Sequence, residues 1–118
     1  MSGIEVHLES ARFEPGSRLE GRVDWDAGGE APERLSISLL WHTAGKGTED
    51  VTVVDQIEVE RPSRMGSREL AFDLPGFPWS FSGTLVSLVW SVEASLEPGG
   101  AVSRVDLVLA PGAEEIRL

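Results

Sequence analysis

Apolar and polar residues alternate along most of this chain, and this period of two restricts its fold more than any other feature. The clearest run spans residues 86–95, where every second residue is apolar: Val86, Leu88, Trp90, Val92 and Ala94. Successive side chains of a β-strand point to opposite faces, so the run predicts a strand with one core face and one polar face. No window of a dozen residues has the 3.6-residue period of a helix. The chain is therefore predicted to be all-β.

The same alternation recurs in several segments separated by turn-forming clusters of Gly, Pro, Ser and Asp. These segments are residues 4–8, 19–25, 35–41, 51–59, 70–74, 105–109 and 115–118. Short strands at this spacing favour an antiparallel, immunoglobulin-like β-sandwich, with fibronectin-type sandwiches and C2-like domains as alternatives. Three residues interrupt the pattern. Gly21 predicts a bulge or a close approach of two backbones, Asp55 a bulge or an edge strand, and Leu40 a contact with a neighbouring sheet or a partner.

Charge and length narrow the class of protein. The 118 residues include 20 Asp and Glu against 10 Lys and Arg, a net charge of −10, so we expect one acidic domain over residues 1–118. A sequence pI near 4.5 disfavours nucleic acid and anionic membrane surfaces as partners. No apolar stretch is long enough for direct membrane insertion, and the first ten residues lack the features of a signal peptide, which favours a cytoplasmic location. The sequence has no Cys and therefore no disulfide.

Catalytic residues and cofactor sites are not expected from the motifs. The two histidines, His7 and His42, lie on predicted strands without a convincing Ser or Asp partner and are predicted to face solvent. Ser80 and Ser82 lack the glycine spacing of a nucleophile elbow and are better explained as turn residues. Lys46 lies between two glycines but lacks the earlier glycine of a phosphate-binding loop, so this segment predicts a flexible loop or hairpin tip.

Acidic clusters and tryptophans are the features of the sequence that bear on metal and sugar binding. Asp24, Asp26 and Glu30 form one acidic group and Glu49 and Asp50 a second, but neither has the repeated Asp-x-Asp pattern of a calcium loop. We therefore expect no metal. Four tryptophans could form a sugar-stacking platform, but Trp25, Trp41 and Trp90 fall in inward positions, and Trp79 lies in a loop as either a contact residue or a core plug. A small-ligand module binding carbohydrate or calcium stays the alternative function.

Three segments together resemble an arrestin-type domain: residues 13–25, 72–83 and 85–95. The first carries a Pro-Gly pair, then an apolar residue, then Gly-x-Val; the second carries Phe-x-Leu-Pro and Pro-x-Ser-Phe-x-Gly; the third carries aromatic-x-Val-x-Ala. The matching residues are Pro15, Gly16, Leu19, Gly21, Val23, Phe72, Leu74, Pro75, Pro78, Ser80, Phe81, Gly83, Trp90, Val92 and Ala94.

The resemblance implies a non-catalytic β-sandwich that binds proteins, as do arrestins, arrestin-related trafficking adaptors and bacterial sporulation-control proteins of arrestin type. Arrestins pair two such domains, whereas this chain has the length of one, so a homodimer is an alternative to a monomer. Arrestins that bind phosphorylated receptors place lysines along the first strand. Here Glu5, His7 and Glu9 project from that strand, so phosphate recognition is not expected.

The sequence predicts a partner-binding surface of six residues for a protein partner of unknown identity. The first strand has no Pro and no interruption, so at a sheet edge it could accept a partner strand through main-chain hydrogen bonds, with its acidic side chains favouring basic segments. Loops supply the other candidates. The six residues are Glu5, Val6, His7, Glu9, Lys46 and Trp79.

Overall fold

Alternation of buried and exposed side chains defines the strands of the computed structural model, which describes residues 3–45 and 49–118. Within these residues there are ten strands and one 3-10 turn, Pro111–Ala113. The strands are β1 (Gly3–Leu8), β2 (Arg12–Phe13), β3 (Arg18–Asp26), β4 (Arg34–Gly45), β5 (Val51–Glu60), β6 (Met65–Asp73), β7 (Phe81–Ser82), β8 (Val86–Glu97), β9 (Val102–Leu109) and β10 (Ile116–Arg117). The all-β prediction is confirmed.

Two sheets form a sandwich. The first sheet has the order β1-β3-β6 and is antiparallel throughout. The second has the order β10-β7-β8-β4-β5, and β9 also pairs with β8. The strand β8 is central to the second sheet, because it pairs with β4 over its whole length and with β7 and β9 on its other side.

The hydrophobic core lies between the two sheets. Trp90, at the centre of β8, is fully buried, and its indole N–H donates a hydrogen bond of 2.8 Å to the carbonyl oxygen of Pro78. The predicted register of this strand is therefore confirmed. The other fully buried apolar residues are Ala110, directly after β9, and eight residues of β3, β4, β8 and β9: Leu19, Val23, Leu35, Ile37, Leu39, Val92, Ala94 and Leu109.

The strand pairing differs from the antiparallel expectation in two places. The short strands β2 and β10 pair in parallel with β9 and β7, over two residues each. Of the two, β2 was not predicted, because two residues are too few to show an alternation, whereas β10 lies within the strand predicted at residues 115–118. In addition, β6 begins at Met65, five residues before the predicted strand. Its first five residues are mostly polar and exposed and form no alternating apolar row, so the sequence did not indicate a strand there.

Two local predictions are confirmed. A Cβ atom added at Gly21 would collide with the main-chain oxygen of His7, so β1 and β3 approach each other more closely there than a side chain allows. The strand β5 has only β4 as a neighbour among the described residues, and its register shifts between Leu39 and Leu40, which leaves Val54 as the extra residue of a β-bulge next to Asp55.

The two sides of the sandwich differ. On one side, β1 of the first sheet packs against β9 and β8 of the second, and the Val6 amide donates a 3.2 Å hydrogen bond to the Ser103 hydroxyl oxygen. The opposite margins are formed by β6 and β5, each with a single strand neighbour among the described residues. Each of these two long strands therefore has one edge without a strand partner in the described part of the chain.

Candidate interaction surfaces

The first strand is the outer strand of its sheet, as strand addition requires, but its edge is not free at the centre. Val6 is buried in the core, and its amide is already bonded to Ser103 on β9. A partner strand could pair with β1 only after β9 moved aside. Glu5, His7 and Glu9 project outward on the exposed face of the first sheet, as the alternation predicts.

Charged side chains on this outer face form a network around Asp24. The His7 Nε2 atom lies 3.4 Å from Asp24 Oδ2 and 3.5 Å from Glu5 Oε2, and the Arg22 Nε atom lies 3.0 Å from Asp24 Oδ1. The Ser67 hydroxyl donates a 2.6 Å hydrogen bond to Asp24 Oδ1. This hydrogen bond is the main reason that the pKa of Asp24 is lowered; partial desolvation opposes it, and the charges of Arg22 and His7 add to it.

A groove of about 460 Å³ lies beside this network on the first sheet. Its charged walls carry both signs: Glu9, Arg18, Glu20, Arg22 and Glu69. Arg18 is already paired with Glu20 at 3.0 Å. Because cations and carboxylates neutralise one another here, the groove has no charge preference that would select one class of ligand.

Lys46 and Trp79 are the two loop residues of the predicted partner-binding surface. Lys46 lies outside the described residues. Trp79, between β6 and β7, is 43% exposed, and its indole N–H donates a 2.7 Å hydrogen bond to the Gly76 carbonyl oxygen. The neighbouring Phe77 is 77% exposed and was missed by the sequence reasoning, although it is an aromatic residue in the same loop. Ser80 is buried and its hydroxyl accepts a 3.0 Å hydrogen bond from the Leu109 amide, which is a structural role.

The edge strand β5 exposes apolar side chains that the alternation places in the core. Val51 and Val53 are each 54% exposed and Val54 is 40% exposed. The bulge explains the difference: beyond Val54 the register shifts by one residue, so Val53 lies opposite Leu40 instead of on the row that faces the core. We call the unpaired backbone edge of β5, together with these three valines, the β5 edge. The sequence indicated the bulge but not this exposed apolar segment.

The face next to the β5 edge is apolar with one unsatisfied polar atom. Leu40 lies opposite Val53 and is buried. His42 lies opposite Val51 and is also buried, so the prediction of a solvent-facing side chain is wrong for His42. The Nδ1 atom of His42 is enclosed and has no hydrogen-bond partner among the described residues. The sequence predicts that Leu40 faces a neighbouring sheet or a partner. In the structure Leu40 lies beside the exposed valines of the edge strand, and no described residue identifies a partner there.

The flank of the β5 edge is acidic. Residues 49–60 contain five carboxylates and no Lys or Arg: Glu49, Asp50, Asp55, Glu58 and Glu60. Of these, Glu60 lies 3.1 Å from the Arg34 Nε atom, and this contact is the main cause of the raised pKa of Arg34. The edge therefore combines an apolar segment at the start of β5 with a negative potential.

Metal-binding geometry is not found in the described part of the chain. No three His, Asp or Glu side chains within residues 3–45 and 49–118 are grouped so that they could hold a metal ion. The Asp26 carboxylate instead accepts a 2.9 Å hydrogen bond from the Gly28 amide and stabilises a turn. In the same residues, no helix is long and apolar enough to cross a membrane.

Comparison with solved structures identifies similar folds. Spo0M, the sporulation control protein of Bacillus subtilis, matches 92% of this chain with a TM-score of 0.66 and 16% sequence identity. The fold is similar to that of Spo0M. This chain spans 49% of the Spo0M chain, about half its length. The likeness supports the arrestin-like β-sandwich that the sequence motifs implied.

Two other similar structures are more distant. The CARDB domain of the PF1109 protein from Pyrococcus furiosus, solved in complex with di-metal ions, has a TM-score of 0.55, 10% identity and 94% coverage of both chains. The alkylpurine DNA glycosylase AlkC of Pseudomonas fluorescens, bound to DNA containing an abasic site analog, has a TM-score of 0.51 and 9% identity over 92% of this chain and 31% of its own. No protein-family model matches the chain, and no curated protein matches it in sequence. At these identities the likeness concerns the fold.

Proposed function

We propose that this chain is a non-catalytic protein-interaction module of arrestin-like type, and that the β5 edge is its main binding surface. The observation that carries the proposal is a ten-residue strand with one neighbour among the described residues and three exposed valines. The bulge at Val54 and the carboxylate of Asp55 are devices that protect an edge strand from association, but they leave Val51 and Val53 as an exposed apolar segment at the start of β5, and this segment is available to a partner. A cytoplasmic location, expected from the sequence, is part of this proposal.

Two further observations support a binding role over catalysis. The outer-face network around Asp24 consists of exposed ion pairs and hydrogen bonds, and its one hydroxyl, that of Ser67, is bonded to the Asp24 carboxylate, whose lowered pKa makes it a poor general base. The fold is similar to that of a sporulation control protein, and the sequence motifs resemble those of arrestin-type adaptors. Both favour a regulatory or adaptor role. Two other surfaces are secondary candidates for contact with the same partner: the exposed face of β1, and the loop between β6 and β7 that carries Phe77 and Trp79.

Affinity capture with matched surface variants tests the proposal. The baits are the wild type, Val53→Lys and the control Val102→Lys, which adds the same charge at a similarly exposed valine on β9. We expect partners to be captured by the wild type and by Val102→Lys, and to be lost with Val53→Lys, because a lysine is a natural guard of edge strands. Equal capture by all three baits, with unchanged melting temperatures, would show that the β5 edge is not the binding surface.

A further inference from the structure

We infer that the β5 edge binds a short, extended and basic peptide segment of a partner protein, in which apolar and basic residues alternate. The segment would be added to the second sheet as a new strand beside β5. This inference rests on the proposed function and specifies the chemistry of the partner. Three independent properties of β5 lead to it.

The first property is the unpaired backbone. In Val51–Glu60, alternate residues direct their N–H and C=O groups away from β4, the only strand that pairs with β5 in the described part of the chain. Main-chain hydrogen bonds to these groups hold an added strand whatever its side chains are. An extended backbone is therefore the form of ligand that satisfies this edge.

The second property is the apolar row at the start of the strand. The register puts Val51 and Val53 opposite His42 and Leu40, on one face of the sheet. An added strand would place every second side chain beside these valines, at the short distances of cross-strand neighbours. Apolar residues at alternate positions of the partner would cover the valines, and the intervening positions would point to the opposite face.

The third property is charge. Residues 49–60 hold five carboxylates without a Lys or Arg, and only Glu60 has an ion-pair partner among the described side chains. A basic segment gains from this potential, whereas a second copy of this chain would bring a net charge of −10 to it and oppose carboxylates to carboxylates in any β5 to β5 pairing. The edge therefore favours a basic partner over self-association.

The bulge at Val54 restricts the length of the segment. A bulge bends the strand and increases its twist, and Asp55, which lies opposite the buried Leu39, places a charge at the point where the backbone is irregular. A long flat strand cannot follow this edge without distortion. A segment that covers Val51–Val54 and places a Lys or Arg near Asp55 can do so.

Synthetic peptides provide the test. The probe is a seven-residue peptide of alternating Lys and Val; the controls are a Glu and Val peptide of the same length and a peptide with the same lysines but Ser in place of Val. Binding is measured by amide NMR and hydrogen exchange at two salt concentrations. We expect the Lys and Val peptide to slow exchange of the amides in residues 51–55, and the Ser peptide to bind at least about tenfold more weakly, since it lacks the apolar contacts.

Protein variants localise the effect. Val53→Lys is expected to weaken the Lys and Val peptide by about tenfold or more, since it adds repulsion and removes the apolar contact, and Val102→Lys to leave it nearly unchanged. The inference is overturned if the Ser peptide binds equally well, if the Glu and Val peptide binds equally well, or if both lysine variants behave alike. Protection of β5 amides that rises with protein concentration without peptide would identify a second copy as the occupant and would also overturn it.

The two proposals fail in different ways. Loss of captured proteins with Val53→Lys, combined with no binding of the Lys and Val peptide, would retain the interaction module and reject the basic partner segment. Peptide binding at β5 combined with unchanged capture by Val53→Lys would instead reject the β5 edge as the surface that the protein uses for its partners. The complete account is supported only if the Lys and Val peptide binds at β5 and Val53→Lys also loses the captured proteins.

Discussion

Trp90 joins the two halves of the core at a single side chain. It is fully buried between the sheets, and its indole hydrogen bond holds the loop that contains Pro78. We expect Trp90→Ala to reduce the free energy of unfolding by about 3–5 kcal/mol, the usual result of truncating a buried aromatic residue. Leu85→Ala, at an exposed apolar position, should change it by less than about 1 kcal/mol. Denaturant titration of both variants measures the difference, and equal effects would contradict the core assignment.

Two buried polar residues have opposite environments. The His42 Nδ1 atom is enclosed without a hydrogen-bond partner among the described residues, whereas the Ser80 hydroxyl accepts a hydrogen bond from the Leu109 amide. Removing an unsatisfied polar group relieves a desolvation penalty, so His42→Leu is expected to stabilise the fold by about 1 kcal/mol. Ser80→Ala leaves a buried amide unsatisfied and is expected to destabilise it by about 1–3 kcal/mol. Thermal and denaturant unfolding measure both changes. If His42→Leu and Ser80→Ala shifted the free energy of unfolding in the same direction, this interpretation would be wrong.

Asp24 gives the outer face of the first sheet a defined pH dependence. Its pKa is lowered from the ordinary value of 3.8, mainly by the Ser67 hydrogen bond, so the ionised form is favoured in the folded protein. The resulting stabilisation is complete above pH 3.8 and is lost as the pH falls through the lower pKa of the folded state. Ser67→Ala should move the Asp24 midpoint upward, toward 3.8, in a carboxyl-carbon NMR titration. An unchanged midpoint would contradict the assigned cause.

At the scale of the strands, the contact between β1 and β3 depends on a missing side chain. A Cβ atom at position 21 would overlap with the main chain of His7, so Gly21→Ala must separate the two strands or distort them. Gly29→Ala is the matched control, because nothing lies within 4 Å of its added Cβ. We expect Gly21→Ala to lower the melting temperature by several degrees and to increase amide exchange in β1, with little effect of Gly29→Ala. Equal melting temperatures would contradict the close approach.

The strands themselves could be predicted wherever the alternation is complete. It gave the inward row of β8, the faces of β1 and the approach at Gly21, because a period of two is a local property of the chain. It failed for the start of β6, where polar residues at a sheet margin need no apolar row. It also placed Val51 and Val53 in the core, because one bulge residue reverses the faces of every residue beyond it.

At the scale of the whole molecule, the binding surface could not be predicted from the sequence, since it depends on which strands lie at the margins. The contact between β1 and β9, which belong to different sheets, joins residues nearly 100 positions apart, as the 97-residue separation of Val6 and Ser103 illustrates, and no local pattern encodes it. The sequence therefore offered the first strand as a binding edge only on the condition that it lies at a sheet margin, and it predicted a bulge or an edge strand at Asp55. The structure instead engages the Val6 amide and leaves β5 with one neighbour among the described residues.

Charge is the whole-molecule property that the sequence did predict to matter for partner choice. The net charge of −10 is spread over both faces, but residues 49–60 concentrate five carboxylates beside the exposed valines without a cation. On the first sheet, by contrast, Arg18 and Arg22 are paired with carboxylates of the same face. The unpaired edge of β5 thus coincides with a run of carboxylates of which only Glu60 has an ion-pair partner among the described side chains.

Site-specific photo-crosslinking in the source cells tests the central claim most directly. A photoreactive phenylalanine derivative replaces Val53 in one sample and Val102 in another, both of them exposed positions on strands of the second sheet. Because crosslinks form only with groups in contact, the account predicts a covalent adduct with another protein through position 53, and that adduct should be missing for position 102. An adduct through position 102 and none through position 53 would contradict the assignment of the β5 edge as the binding surface.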